Sequence, residues 1–207
     1  MRALVVYCHP KETSFTAAVR DVVLDRLGAA GAEVRLRDLY AEGFDPRLTA
    51  GDLDCYEDDS RNCDPVRSEV EDLRWCDTLV FVYPTWWYGL PAVLKGWLDR
   101  VLVPGVAFLM PETGGTIKPG LTHITRLGVF TTCGASWWLT RFVGAPGRRT
   151  IARGVGLLCA RGHRKVFAAH YLMDSSTAAS RRSHLGKVAR KMDRFIGGHR
   201  KTEEALA

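Results

Sequence analysis

Residues 78–102, TLVFVYPTWWYGLPAVLKGWLDRVL, constrain the fold more than any other stretch of the chain. Positions 78–83 are an uninterrupted run without a charge, the pattern of a strand buried on both faces in a parallel sheet. The strand is expected to stop at Pro84. A loop of Thr85, Trp86, Trp87, Tyr88 and Gly89 follows. Pro91 then falls in the first turn of a helix, where a missing N–H costs nothing. Leu90, Val93, Leu94, Trp97, Leu98, Val101 and Leu102 step by three and four along one helical face. The unit is a buried strand, an aromatic loop and an amphipathic helix.

In an open α/β sheet, the carboxyl end of a parallel strand is where ligands bind. A flat, partly apolar ligand such as a flavin ring would suit three aromatics there. The same residues would also serve as a plug at the sheet edge or as a subunit contact.

A chain of 207 residues is expected to form one domain, residues 1–207, with a sizeable core. No apolar run approaches the roughly 20 residues needed to span a bilayer, and the N-terminus does not read as a signal peptide. The expectation is a cytoplasmic protein without membrane insertion. The six cysteines include no C-x-x-C pair and no zinc-ribbon spacing, so reduced thiols and no metal site are expected. The net charge of +6 includes a dense cluster at Arg181, Arg182, Lys187, Arg190, Lys191, Arg194, Arg200 and Lys201. It shares its segment with Leu185, Val188, Met192, Phe195 and Ile196 at helical spacing. That is the solvated face of an amphipathic helix rather than a nucleic-acid surface.

Residues 2–7 read as a second buried strand. His9, Pro10, Thr13, Ser14, Phe15 and Thr16 follow, with Thr13 or Ser14 as N-cap of a helix. A strand, a loop and a helix opened by hydroxyls is a layout that favours an anion, through free amides and the helix dipole. It is neither of the glycine-rich nucleotide motifs. Residues 33–39 alternate as a partly exposed strand, and 41–64 read as an acidic, solvated loop. A helix is expected over 65–75. Past the central helix, 103–120 form a Gly/Pro-rich loop that carries Phe108, Leu109 and Met110, which would line a ligand site or a subunit contact. Strands over 123–132 and 165–169 and helices over 150–158 and 175–196, the last capped by Gly197 and Gly198, complete the chain. Strand and helix thus alternate five times. This predicts an α/β fold with a five-stranded parallel sheet and helices on both faces. The absent dinucleotide fingerprint favours a flavodoxin-like strand order, 2-1-3-4-5.

Three motifs carry a resemblance. His9-Pro10 with Ser14-Phe15-Thr16 resembles the first loop of the NAD(P)H quinone oxidoreductase (DT-diaphorase) family, A-H-P-x-x-x-S-F-[NT]. The run from Pro84 to Trp97 resembles its flavin loop and following helix, and Thr131-Thr132-Cys133-Gly134 its T-T-G-G loop. The stretch VFAAHYLMD at 166–174 looks like the short bacterial members. The resemblance implies FMN or FAD held without a covalent bond. His9, Ser14, Phe15 and Thr16 would hold its phosphate. Pro84, Thr85, Trp86, Trp87, Tyr88 and Gly89 would border ring and ribityl chain, and Thr131, Thr132, Cys133 and Gly134 the ring's polar edge. It also implies a homodimer with shared active sites. NAD(P)H would donate electrons in a ping-pong reaction with a quinone or similar small acceptor. Phe108, Met110 and Trp137 are the expected substrate-pocket residues. Amide donors at 132–134 would stabilise the negative edge of a reduced flavin.

The chain also departs from the family. Leu139 falls close to the place of a ring-side tyrosine, and no histidine lies between His123 and His163. Phe108 replaces a tyrosine, and Cys133 a glycine. Tyr88 is the remaining candidate for a general acid. A flavodoxin-type electron carrier and a regulatory flavoprotein subunit of a membrane transporter are the competing readings.

Overall fold

The computed structural model describes residues 1–111 and 114–197. Along the chain come β1 (Arg2–Tyr7), α1 (Phe15–Ala29), β2 (Glu33–Asp38), α2 (Ala50–Asp54), α3 (Arg67–Trp75), β3 (Thr78–Thr85) and α4 (Ala92–Val101). Then follow β4 (Phe108–Leu109), β5 (Lys118–Pro119), β6 (Arg126–Cys133), α5 (Trp137–Phe142), α6 (Pro146–Arg149), α7 (Gly156–Leu158), β7 (Arg164–His170) and α8 (Ala178–Ile196). The main sheet is parallel, ordered β2-β1-β3-β6-β7. Counting only its five strands, this is the expected 2-1-3-4-5.

Alternate residues of each central strand feed two separate cores. Leu4, Val6, Leu79, Phe81 and Val129 pack with Leu73, Leu94 and Trp97 on the face covered by α3 and α4. Ala3, Val5, Val80, Val82 and Phe130 pack with Val23, Leu27, Val188, Met192 and Phe195 on the face covered by α1 and α8. Side chains of a strand alternate between faces, so a strand covered on both sides must be apolar at every position. Trp97 anchors the first core, edge-on to Phe81 with ring centroids 5.9 Å apart. Outside the cores, Arg26 and Asp193 join α1 to α8 through two 2.8 Å hydrogen bonds.

Several boundaries differ from the expectation. The central strand does not stop at Pro84 but runs on to Thr85, with Pro84 opposite Thr132. Cys8 N–H donates to Val82 O, so Val82 faces β1. Pro84, two residues on, faces the same side, where β1 has already ended; its missing N–H removes no ladder bond. β6 starts at Arg126 rather than 123, because a turn closed by the Ile124 amide on Leu121 O (2.9 Å) occupies the residues before it. The last helix starts at Ala178, where a reciprocal Thr177–Ser180 capping box defines its first turn. Its Gly198 cap, with Arg200 and Lys201 of the basic cluster, lies outside the described residues. The expected helix over 150–158 is two pieces, a π-helical segment Thr150–Val155 and α7, and it follows directly on α6. The acidic loop contains α2, closed by a Thr49–Asp52 capping box. The Gly/Pro loop contains the β4–β5 hairpin, and α5 follows Ser136 where the sequence pattern predicts no helix.

Gly96 shows why α4 carries a helix-weakening residue. A Cβ there would lie 2.2 Å from Pro46 O and 2.5 Å from Pro46 Cα, so the chain after β2 packs directly on the helix backbone. Gly96→Ala is expected to destabilise the protein by roughly 1–3 kcal/mol through overpacking. A Cβ at Gly28, in α1, would meet nothing within 4 Å; Gly28→Ala is expected to stabilise by roughly 0.5–1 kcal/mol. Denaturant melts of both variants check the pair, and equal signs would contradict it.

Two buried histidines lie under the start of α1. His170 and His184 have ring centroids 5.0 Å apart, and Phe15 is edge-on to His170 at 5.2 Å. Burial, reinforced by His170 and Lys187, lowers His184 to about 4, and burial lowers His170 as well. In the unfolded chain both titrate near ~6.5. Between these values the unfolded state binds more protons than the native state. Stability is therefore present above the unfolded value and is lost as pH falls through the window. The denaturation midpoint should drop between pH 7 and pH 5, and less steeply for His184→Phe. Parallel profiles for the two proteins would assign the acid loss to other groups.

Candidate active site

The loops after β1, β3 and β6 surround a cavity of about 610 Å³ at the carboxyl edge of the sheet. Its first wall is the start of α1. Ser14 is the N-cap, and its Oγ accepts from the Ala17 amide at 3.1 Å. The amides of Phe15 and Thr16, at the first two helical positions, have no acceptor among the described residues. They are donors at the positive end of a helix of 15 residues. His9 stands beside them. Its Nδ1 accepts from the Lys11 amide at 3.0 Å, which places the proton of the neutral ring on Nε2. Burial lowers the His9 pKa, and the charge of Lys11 adds to this, so the ring is a neutral donor at pH 7.

The second wall is a tight turn. Gly89 N–H donates to Trp86 O at 2.9 Å, and Trp87 and Tyr88 between them have φ of 47° and 61°. Two consecutive positive φ values define a type I′ turn, which ordinarily takes Asn-Gly. With side chains at both positions, the turn stores on the order of 1 kcal/mol or more per residue. The close approach of Gly147 supports it from outside: a Cβ there would lie 3.0 Å from the Gly89 carbonyl carbon. The result is a Trp87 side chain that is 94% exposed at the cavity mouth, with Trp86 6.1 Å from the His9 ring.

The third wall is Thr132, Cys133, Gly134 and Ala135. Two hydroxyl pairs tie it to the others. Thr16 Oγ1 is 3.0 Å from Thr132 Oγ1, and Thr85 Oγ1 is 2.8 Å from Thr131 Oγ1. Cys133 is buried, with its Sγ 3.6 Å from Thr140 Oγ1. Gly134 leaves room for Asp174, whose Oδ2 would lie 2.9 Å from an added Cβ.

Of the residues expected at a site, His9, Ser14, Phe15, Thr16, Pro84, Thr85, Trp86, Trp87, Tyr88, Thr132, Cys133 and Gly134 line this cavity. Gly89 closes the turn behind it, and Thr131 lies on the far side of Thr85, in a small adjoining hollow. Phe108, Met110 and Trp137 do not line the cavity within one chain. Phe108 is half-buried against the first core, held there by the hairpin, while Met110 and Trp137 face outward. Ala135, Met173 and Asp174, to which the sequence pattern assigns no site role, complete the lining together with Leu139, which falls close to the place where the resemblance puts a ring-side tyrosine. The stretch at 166–174 resembles the family, but nothing in it marks Met173 and Asp174. Their place follows from β7 ending beside β6 and from the turn at Leu172, whose φ is 57°. Among the described residues no group of three or more His, Cys, Asp or Glu is arranged for a metal ion. No described helix is long and apolar enough to cross a membrane.

Residues 1–150 match the family model described as flavodoxin-like fold. The chain is 37% identical over 123 residues to NAD(P)H dehydrogenase (quinone) 1 of Rattus norvegicus, a match covering 52% of this chain and 45% of the relative. It spans about half the length of the first curated relatives it matches. Among solved structures, Smu.1420 from Streptococcus mutans UA159 superposes with a TM-score of 0.80 at 29% identity, covering 93% of this chain and 98% of that one. The NAD(P)H:quinone oxidoreductase from Methanothermobacter marburgensis superposes with a TM-score of 0.74 at 25% identity, covering 93% and 97%. With its family model matched over most of its length, its parallel sheet in the order β2-β1-β3-β6-β7 and its cavity at the strands' carboxyl ends, this chain belongs to the flavodoxin-like fold family.

Proposed function

We propose that the protein is a flavin-dependent NAD(P)H oxidoreductase that reduces a quinone or similar small acceptor, acting as one domain in the cytoplasm. The observation that carries this reading is the pairing of two features across one cavity. Unsatisfied amides at Phe15 and Thr16 face it at one end, and a strained turn of Trp86, Trp87 and Tyr88 walls it at the other. The residues present fit a flavin, FMN or FAD. The helix start and neutral His9 would hold a phosphate. Trp86 and Tyr88 would flank a flat ring, with the Thr132–Ala135 backbone along its polar edge. A bound flavin would supply the two-electron chemistry between NAD(P)H and acceptor, in ping-pong fashion.

The chain's own residues have defined tasks in this reading. The two threonine pairs hold phosphate wall, ring wall and polar edge at fixed spacing, which is orientation secured before any ligand arrives. The apolar turn excludes water from one side of the ring plane while the mouth admits donor and acceptor in turn. Amides along 132–134 meet negative charge at the ring edge. Tyr88, on the lining and half-buried, is the side chain placed to give a proton to the acceptor.

The purified protein should be yellow, with a flavin spectrum that NAD(P)H bleaches and a quinone restores. Ser14→Ala with Thr16→Ala should weaken flavin retention by about ten-fold or more, as expected for charge-assisted bonds lost at a phosphate. Protein that takes up neither FMN nor FAD would end this reading. Flavin without NAD(P)H turnover would favour an electron carrier.

We further propose that the active form is a homodimer. Trp87, Trp138 and Phe142 are 94%, 73% and 82% exposed, and Trp137, Leu139 and Val143 add to the apolar surface of α5 near the mouth. Contiguous apolar surface of this kind marks an interface. Sedimentation should give the mass of two chains, and Trp138→Glu with Phe142→Glu should give one. Monomers at micromolar concentration in the unmodified protein would refute the dimer.

A further inference from the structure

A second cavity, of about 360 Å³, lies beside the candidate active site. Arg141 of α5, Arg148 and Arg149 of α6, Arg153 of the π-helical segment and Lys165 of β7 line it, and no carboxylate does. Among the described residues none of these five cations forms an ion pair with Asp or Glu, whereas Arg20, Arg26, Arg35, Arg37, Arg47, Arg67 and Arg100 each do. Gathering like charges around a concave surface without counter-ions opposes folding, and a bound polyanion relieves it. The rest of the wall is Gly144, Ala145 and Ala152, small residues that leave the space open. Gly144 has φ of 94°, and a Cβ there would sit 3.3 Å from Arg149 Nη1, so the glycine also makes room for that guanidinium. The six-residue π segment from Thr150 to Val155 is a rare form of helix, one that occurs frequently at functional sites.

The cavity is coupled to the active site by position. A small hollow shares Arg141, Ala145 and Arg148 with it, and Thr85, Tyr88 and Cys133 with the larger cavity. A donor whose reactive ring reaches the larger cavity would therefore have its phosphates within reach of these arginines. Guanidinium groups recognise phosphate monoesters through paired, charge-assisted hydrogen bonds. We propose that this basic cavity binds the phosphorylated adenosine end of the dinucleotide donor and selects its 2′-phosphate, making NADPH the preferred donor over NADH. The choice of donor rests on the oxidoreductase reading above; the nucleotide site itself does not.

The test is calorimetric binding of adenosine 2′,5′-bisphosphate, 5′-AMP and pyrophosphate to the purified full-length protein and to Arg149→Glu/Arg153→Glu. Both substituted side chains are exposed and lie outside the flavin-binding wall. The bisphosphate should bind at least about ten-fold more tightly than 5′-AMP, and the variant should lose about ten-fold or more of that affinity. In turnover, the variant's KM for NADPH should rise about ten-fold or more, and by several-fold more than its KM for NADH, so that the preference for NADPH is lost. Equal affinity for bisphosphate and 5′-AMP, equal or tighter binding of pyrophosphate, or an unaffected variant would overturn the proposal. Selective, charge-dependent bisphosphate binding by a protein without NAD(P)H turnover would sink the oxidoreductase reading alone and leave the nucleotide site standing.

Discussion

Burial of the central strands on both faces is the constraint from which the rest of the molecule follows. β1, β3 and β6 are apolar through their middles because each side chain enters one core or the other. Polar side chains are thereby displaced to the strand ends. At the carboxyl ends they are Thr85, Thr131 and Thr132: Thr85 and Thr131 bond across the gap between β3 and β6, and Thr132 bonds Thr16 of α1. The same register that stacks Tyr83, Pro84 and Thr85 beside Thr131, Thr132 and Cys133 brings the three loops to one edge. The cavity is what remains between loops that start level and are tied together at their bases.

That edge also holds the strain. A type I′ turn with Trp and Tyr at its centre is unfavourable in isolation, and the fold overdetermines it. The antiparallel Trp86–Gly89 bridge closes it, β3 fixes one side of it, and the backbone at Gly147 presses on it from α6. Asn-Gly would make the same turn without strain but would leave no aromatic wall. The cores hold rigid what the local sequence disfavours, so the cost falls on residues facing the cavity.

How much is legible in the sequence follows the same division. β3, and β1 beyond its exposed Arg2, are readable as runs without charge, and α4 and α8 from apolar steps of three and four, because burial writes a period into the sequence. The first and third site walls are readable through residue types, a hydroxyl cap and a threonine pair. Helix α5 is hidden because Trp137, Trp138, Leu139 and Phe142 point largely outward and show no buried face. The π segment is hidden because its hydrogen-bond pattern, and not its composition, sets it apart. Asp174 and Met173 are hidden because their place depends on β7 lying next to β6 and on a left-handed Leu172, a conformation that no residue preference announces. Pro84 misleads by the usual rule, which fails where the neighbouring strand has already ended.

The distribution of charge completes the argument. Several acidic residues of the chain before α4 are engaged by arginines: Asp45 with Arg47, Asp52 with Arg100, and the buried Asp72 with both Arg35 and Arg37. Arg47 holds the Asp45 carboxyl down at about 2, deep in its ionised range. Among the described residues, the cations around α6 and the π segment have no carboxylate partner, beside the edge where α1 presents its free amides. A net charge of +6 is modest as a total. The five cations gathered at the basic cavity give that part of the edge a field that draws anions in from solution, falling off over the roughly 8–10 Å of screening at physiological salt. The topology that gathers the loops and the pairing that engages the acids elsewhere thus act on the same edge: one shapes the cavity, and the other sets the sign of what enters it.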